Sequence, residues 1–199
     1  MPAATSPTAD RRQQLLNVAR ALFASRGYVT TTMDDVAEAA GFTKPIVYQH
    51  FAGKEALYAE LVTSTGDTLI KELTDAVADS PSPEETVRRG FTAYFNFLTA
   101  QPDAFRLLFL QNPHSTVEDY QRRLEVRLMS FVEPLLIHVD DDAHRTQLAA
   151  AVVGLAEGAA LVWLVENPTA VINPAAEAAI LTARMTKLAW GGLRALGNS

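Results

Sequence analysis

Cysteine is absent from this 199-residue sequence, which excludes disulfide bonds and any metal or redox chemistry that depends on thiolates. A long hydrophobic run is also missing, because Glu157 splits the most apolar stretch, residues 148–165, into segments of nine and eight residues. Each segment is shorter than the roughly 20 apolar residues that cross a bilayer. Residues 1–10 contain no apolar stretch of the kind found in signal peptides. These absences predict a soluble, cytoplasmic protein without a membrane partner.

An overall excess of basic charge is absent as well, since the net charge of −6 argues against a general nucleic-acid binder. The average conceals an asymmetry, because residues 1–55 carry six basic and five acidic side chains and the remainder carries 11 and 18. No acidic residue occurs between Glu38 and Glu55, although Lys44, His50 and Lys54 lie there. A small acid-free surface on an acidic protein is a favourable place for an anionic partner to bind.

No segment shows the period-two alternation of a half-buried strand, whereas helical periodicity runs through the whole chain. The sequence therefore predicts an all-α protein, with a three-helix N-terminal domain at residues 1–52 and a C-terminal domain of roughly six helices at 53–199. The three short helices are expected at about residues 10–25, after Thr32 and after Thr43. Prolines and an acidic loop separate the longer helices, expected at about residues 53–79, 84–100, 102–111, 115–137, 143–166 and 174–196.

Residues 32–51 have the pattern of a helix, a glycine turn at Gly41 and a second short helix with a polar, basic outer face. A helix presented in this way fits the major groove of B-DNA. The Thr43 hydroxyl and the free N–H groups of the second helix can meet a phosphate. Lys44 can reach a guanine edge or a phosphate, and Gln49 can pair with adenine. The remaining candidates are Pro45 and Ile46 for a thymine methyl, and Tyr48, His50 and Lys54 for phosphates.

A structural role is the alternative for each of these side chains. Tyr48 can pack on the following helix, and His50 can fill the turn. The lysines can be ordinary solvated charges. Thr32 and Thr43 are expected to cap helices whatever else they do, and Thr32 is also counted among the DNA-binding candidates.

The run from Thr31 to Phe51, with Gly53-Lys54-Glu55-Ala56-Leu57 after it and Ala21-Leu22-Phe23 and Gly27-Tyr28 before it, resembles the DNA-binding domain of TetR-type transcriptional regulators. The resemblance covers about 50 residues. It implies a homodimeric, ligand-controlled regulator, usually a repressor, that binds a double-stranded DNA operator through the helix-turn-helix. Two departures are Gln49, where the family often has an aromatic residue or His, and the Pro45-Ile46 pair. Both concern which operator is read.

A small-molecule site is expected in the C-terminal domain, where aromatic residues concentrate with a few polar ones among them. A plain aromatic core is the alternative. Glu157 lies among apolar residues, so it faces solvent, pairs at an interface or hydrogen-bonds a ligand. The candidate ligand residues are Phe91, Thr92, Phe95, Phe105, Phe109, Phe131, Glu157 and Trp163.

The last two predicted helices are rich in alanine and glycine, which allows close helix approach. Two such helices from each of two chains can form an intermolecular four-helix bundle, an arrangement that the family resemblance also implies. We therefore expect a homodimer through the last two helices. Packing of these helices inside one subunit is the alternative.

Other classes of function have weaker support in the sequence. His138, Asp140, Asp141, Asp142 and His144 suggest a metal site, but they lie around a loop and lack helix-fixed ligand spacing, so solvated charge explains them better. No cofactor, metal or enzymatic activity is predicted. A helical adaptor, or a DNA-binding regulator without a small-molecule effector, remains the alternative function.

Overall fold

The computed structural model describes residues 7–109, 115–136, 139–168 and 172–196. Within these residues the chain forms helices only, which confirms the all-α prediction. An N-terminal helix-turn-helix is followed by longer helices, as expected. The elements are α1 (Pro7–Arg26), α2 (Met33–Ala40), α3 (Lys44–His50), α4 (Lys54–Val77), α5 (Pro83–Ala100), α6 (Pro102–Phe109), α7 (Ser115–Met129), a 3-10 turn (Glu133–Leu136), α8 (Asp142–Glu166) and α9 (Pro174–Leu196).

The prediction of one helix over residues 115–137 is wrong, because α7 ends at Met129 and a separate 3-10 turn begins at Glu133. Pro134 accounts for the break, since it has no N–H to donate to the Ser130 carbonyl oxygen and its ring clashes with the preceding turn of an α-helix.

Local capping fixes the ends of α2. The Asp35 N–H donates to Thr32 Oγ1 at 3.1 Å, and the Thr32 N–H donates to Asp35 Oδ2 at 2.7 Å, which together form a capping box. The Asp35 carboxylate also accepts a hydrogen bond from the Thr32 hydroxyl at 2.6 Å, and this bond, together with the one from the Thr32 N–H, holds the pKa of Asp35 below its usual value. At the other end Gly41 has φ +70°, and the next N–H, that of Phe42, donates to Ala37 O at 2.9 Å. Glycine suits this position because residues that carry a side chain rarely adopt a left-handed backbone conformation.

The chain packs into two compact units. The first contains residues 1–65 and 103–120, and the second contains residues 66–102 and 121–199. In the first unit Phe23, Tyr28 and Tyr58 form an aromatic cluster with ring centroids 4.9–5.8 Å apart. The boundary between units falls within α4, so the predicted division at residues 52 and 53 stays a prediction about function.

Helix α8 of the second unit is apolar around much of its circumference. It spans 25 residues, and only 28% of its most apolar 18-residue window, with a mean hydropathy of 2.1, is buried within this chain. By length and composition alone, α8 could cross a membrane, because one carboxylate does not interrupt the helix. The expectation that Glu157 leaves no segment long enough for this is therefore wrong. Much of this apolar surface lacks cover from the described part of the chain.

Candidate nucleic-acid interface

The α3 helix presents a continuous polar surface. Val47 is fully buried and anchors the helix, while Ile46 and His50 are half-buried. The positions on the outer face follow the i, i+1, i+4, i+5 spacing that places side chains on one side of a helix. Five predicted DNA-binding side chains are exposed together there: Thr43, Lys44, Pro45, Tyr48 and Gln49.

Arg12 of α1 holds the end of α3 in place. Its Nη1 donates to the His50 carbonyl oxygen at 2.9 Å, and its guanidinium lies 4.4 Å from the centre of the Phe51 ring. Its Nη2 forms an ion pair with Glu60 of α4. A cation at a helix C-terminus satisfies the free carbonyls and the helix dipole there. The sequence interpretation missed this residue, because its partners lie 38 and 48 positions away and leave no local pattern.

Lys44 is joined to α2 by an ion pair that the sequence interpretation also missed. Its Nζ lies 2.8 Å from Asp34 Oδ1 and 3.1 Å from Oδ2. The hydrogen bond from Lys44 to Asp34 raises the pKa of the lysine. Both side chains are more than half exposed, so the pair can exchange with another anion.

Lys54 has a structural role at the start of α4. Its Nζ donates to the Tyr28 carbonyl oxygen at 2.9 Å and lies 4.3 Å from the centre of the Tyr28 ring. The lysine therefore ties α4 to the turn after α1. A phosphate contact by Lys54 stays a prediction, and it would compete with these contacts.

The two predicted cap residues differ. Thr32 caps α2 through Asp35, so its hydroxyl is committed to the capping box. Thr43 occupies the cap position of α3, but its side chain makes no cap hydrogen bond, so the prediction of side-chain capping by Thr43 is wrong. Its exposed hydroxyl is left for another partner.

The acidic loop before α8 is explained by local contacts. Asp141 caps α8 by accepting a hydrogen bond from the His144 N–H at 2.9 Å, which lowers the pKa of Asp141. Asp142 pairs with Arg145 of the next turn. His138 lies outside the described residues.

A largely apolar cavity lies within the second unit, and the empty space inside it, including its open mouth, is about 580 Å³. Its walls come from the second half of α4, from α5, from the end of α7 and the turn after it, and from α8. They include Leu73, Val77, Phe91, Leu128, Phe131 and Val153.

The predicted ligand residues do not all line this cavity. Phe91 and Phe131 do, and Phe95 is fully buried, with its ring centroid 6.0 Å from that of Phe91. Thr92 instead lines a polar groove between α5 and α9. The Trp163 indole N–H donates to Glu177 Oε2 of α9 at 3.3 Å.

Two further predicted ligand residues belong to the first unit. Phe105 and Phe109 pair there with ring centroids 4.5 Å apart. They are therefore not part of the wall of the cavity in the second unit.

Glu157 does not line the cavity, although neighbouring residues do. Tyr94 of α5 is in the wall, and so is Ala156, which precedes Glu157. Burial, and then the Glu125 carboxylate of α7, raise the pKa of Glu157. Burial, and then the Glu157 charge, raise the pKa of Tyr94 well above its usual value. Glu157 Oε1 is buried and has no hydrogen-bond partner among the described residues.

The outer faces of α8 and α9 expose apolar side chains. Val162 is 57% exposed, and the α9 residue Leu188 is 56% exposed. Small residues lie on the same helices at exposed positions, including Gly154, Gly158, Ala179 and Ala183. A surface with this composition is suited to close helix packing.

Known proteins share both the sequence and the architecture. Residues 15–61 match the family described as "Bacterial regulatory proteins, tetR family". The chain is 28% identical to the HTH-type transcriptional activator FasR of Mycolicibacterium smegmatis, over 94% of this chain and 84% of that protein. It is 32% identical to the HTH-type transcriptional repressor KstR2 of Mycobacterium tuberculosis, over 66% of this chain and 58% of that protein. A TetR-like transcriptional regulator from Rhodococcus sp. RHA1 shares the fold, with a TM-score of 0.77, 23% identity and coverage of 96% and 99%.

Proposed function

We propose that this chain, which belongs to the TetR family of bacterial regulatory proteins, represses transcription by binding a palindromic operator as a homodimer and is released by a small, largely apolar effector. Members of this family are regulators of transcription and not enzymes. The bacterial cytoplasm is the proposed location, because the operator DNA is there.

The single observation that carries the proposal is the exposed face of α3. Thr43, Lys44, Pro45, Tyr48 and Gln49 lie together on it, and no acidic residue interrupts the sequence between Glu38 and Glu55. The side chains supply a cation, a bidentate amide, a hydroxyl and apolar groups. These are the groups that contact base edges and phosphates in the major groove.

The exposed apolar surface of α8 and α9 supports a homodimer. A symmetric interface brings the same surface from two subunits together, so one patch on each chain covers the other. Val162 and Leu188 then leave water, which contributes favourable free energy in proportion to the apolar area buried. A dimer also presents two recognition helices, which read half-sites about 34 Å apart on the DNA.

Helix α4 supplies the proposed connection between effector and DNA. It begins at Lys54, directly after the helix-turn-helix, and it contributes Leu73 and Val77 to the cavity wall. A ligand that displaces these two side chains changes the direction of α4 and with it the spacing of the two recognition helices. The effector has this result only if it binds the DNA-incompetent state more tightly.

Selection of binding sites from a random duplex library tests the proposal. The expected product is one enriched sequence with two-fold symmetry, and its half-sites are separated by a whole number of helical turns. Gel filtration with light scattering on the same preparation should report a dimer. Failure to enrich any sequence at low salt would refute operator binding, while enrichment of an asymmetric site by a monomer would refute the homodimer.

A reporter assay then decides the direction of regulation, since one similar protein is named as an activator and another as a repressor. The selected site is placed over a bacterial promoter. We expect expression to fall when the protein is produced. A rise in expression would overturn the repressor assignment and leave DNA binding intact.

A further inference from the structure

The polar groove between α5 and α9, which Thr92 lines, is a second concave surface of the second unit. Its volume is about 620 Å³, within the range of small-molecule sites, roughly 300–1,000 Å³. It shares no lining residue with the apolar cavity, and neither Val162 nor Leu188 of the proposed dimer surface lines it. Ala179 and Ala183 do line it, and their small side chains leave the space between the two helices open.

Basic side chains outnumber acidic ones in this groove. Arg88, Lys187 and Arg194 line it, against Glu84 alone. Arg88 pairs with Glu85 at 2.5 Å, whereas Lys187 and Arg194 form no ion pair with the described residues. The C-terminal domain around the groove is acidic overall. A positive groove in an acidic domain is a favourable place for an anion, because the surrounding surface repels it.

Two threonines and a tryptophan complete the chemistry of the groove. The Oγ1 atoms of Thr182 and Thr186 are buried and have no hydrogen-bond partner among the described residues, and Thr182 is only 8% exposed. Buried polar groups are normally hydrogen-bonded, so these two hydroxyls are donors left for a ligand. Rotation about the Cα–Cβ bond exchanges the positions of the threonine hydroxyl and methyl groups. The half-buried Trp190 offers an aromatic surface to the uncharged part of a ligand.

We propose that the groove between α5 and α9 binds a small organic anion, a phosphate ester or a carboxylate, whose aromatic or apolar body packs on Trp190. Lys187 and Arg194 supply charge-assisted hydrogen bonds to the head group. A phosphate ester binds more tightly than a carboxylate, because it carries more negative charge. This site is separate from the cavity of the proposed apolar effector, so its occupation does not depend on the effector response.

NMR titration of the full chain with naphthalene derivatives tests the assignment. 1-Naphthyl phosphate, 1-naphthoate and 1-naphthol share one ring system and carry decreasing negative charge, while 1-naphthylmethylamine carries a positive charge. We expect 1-naphthyl phosphate to bind at least about tenfold more tightly than 1-naphthol, with 1-naphthoate between them and the amine weakest. Equal affinities, tighter binding of the amine, or no binding by the phosphate ester would overturn the proposal. A partner subunit that fills the groove would give the last of these results.

The tryptophan signals locate the bound probe. The chain has two tryptophans, and Trp163 does not line the groove. Addition of 1-naphthyl phosphate should therefore shift the indole N–H signal of Trp190 and leave that of Trp163 in place. A shift of the Trp163 signal alone would place the probe elsewhere and overturn the assignment.

Charge-removing variants test the proposed contacts. Lys187→Gln and Arg194→Gln should each weaken binding of 1-naphthyl phosphate about two- to fivefold and leave 1-naphthol unchanged. Lys71→Gln is the matched control, because it removes the same charge from an exposed lysine of the same unit outside the groove. Equal effects at Lys71 and Lys187 would indicate general attraction to positive charge and contradict a site in the groove.

Gly191→Leu tests the groove independently of charge. Gly191 lines the groove, and a Cβ atom added there meets no other atom within 4 Å. The larger side chain should therefore occupy part of the space and weaken binding of 1-naphthyl phosphate at least about tenfold, while circular dichroism and light scattering match wild type. Unchanged binding in a folded Gly191→Leu protein would overturn the proposal.

Discussion

Removal of the Lys44 charge should weaken DNA binding in a manner that depends on salt. The side chain lies on the exposed face of α3 and is paired in the free protein with Asp34, at 2.8 Å. Each phosphate contact that is lost lowers the slope of log K against log salt by about 0.9, so two copies in a dimer lower it by about 1.8. For Lys44→Ala, the affinity deficit relative to wild type should therefore shrink about 12-fold between 50 and 200 mM salt.

Asp34→Asn should have the opposite effect. The variant frees Lys44 and removes a negative charge close to the proposed path of the phosphates, so affinity at low salt should increase by about two- to fivefold. The gain should become smaller when Lys44 is already alanine, because only the part that comes from removing the Asp34 charge is then left. Fluorescence anisotropy with a labelled duplex, repeated at four salt concentrations, provides the affinity and the slope together.

Lys71 and Asp75 of α4 provide the matched control. They form another exposed Lys–Asp ion pair, and Lys71→Ala and Asp75→Asn change the net charge by the same amounts. These variants should leave the affinity and the slope close to wild type. Identical slopes for Lys44→Ala and wild type, or equal effects from the two ion pairs, would refute the placement of Lys44 on the DNA backbone. A change of affinity without a change of slope would place Lys44 on a base edge.

Three further predictions concern the turn, the dimer and the buried carboxyl. Gly41→Ala should destabilise the first unit by about 1–2 kcal/mol in denaturant titration, because φ at this position is +70°. The loss comes from the backbone conformation and not from a clash, since an added Cβ meets nothing within 4 Å. No loss of stability would contradict the left-handed conformation of Gly41. Val162→Arg should yield monomers in light scattering, whereas Val126→Arg, equally 57% exposed but on α7, should remain dimeric; two dimeric variants would refute the interface. Glu157→Gln should raise Tm more at pH 7 than at pH 4. The pKa of Glu157 is raised in the folded protein, so wild-type stability declines as the pH rises through that pKa, and the glutamine variant does not share this decline. Equal increases in Tm at the two pH values would contradict burial of the carboxylate.

Short-range features of the fold could be predicted from the sequence because their causes are local. The Thr32 cap, the glycine turn and the buried Val47 each depend on residues a few positions away. The end of α7 was missed, although Pro134 gave a local signal, because the apolar period continues past it.

Long-range features of the site could not be predicted in this way. Arg12 reaches His50 across 38 positions, and Lys44 reaches Asp34 across a turn whose geometry decides the pairing. The concentration of aromatic residues indicated a ligand site, but composition alone does not determine which helix faces pack around it. Leu73 and Val77 were consequently missed in the cavity wall.

The central claim is that the exposed face of α3 reads base sequence, and the most direct test is the specificity profile of Gln49→Ala. Binding-site selection is performed in parallel with wild type, Gln49→Ala and Gln13→Ala, an exposed glutamine on α1. The predicted result is relaxed preference at one base pair in each half-site for Gln49→Ala, with unchanged preference elsewhere and an unchanged profile for Gln13→Ala. Identical profiles for Gln49→Ala and wild type, across every enriched position, would contradict the claim.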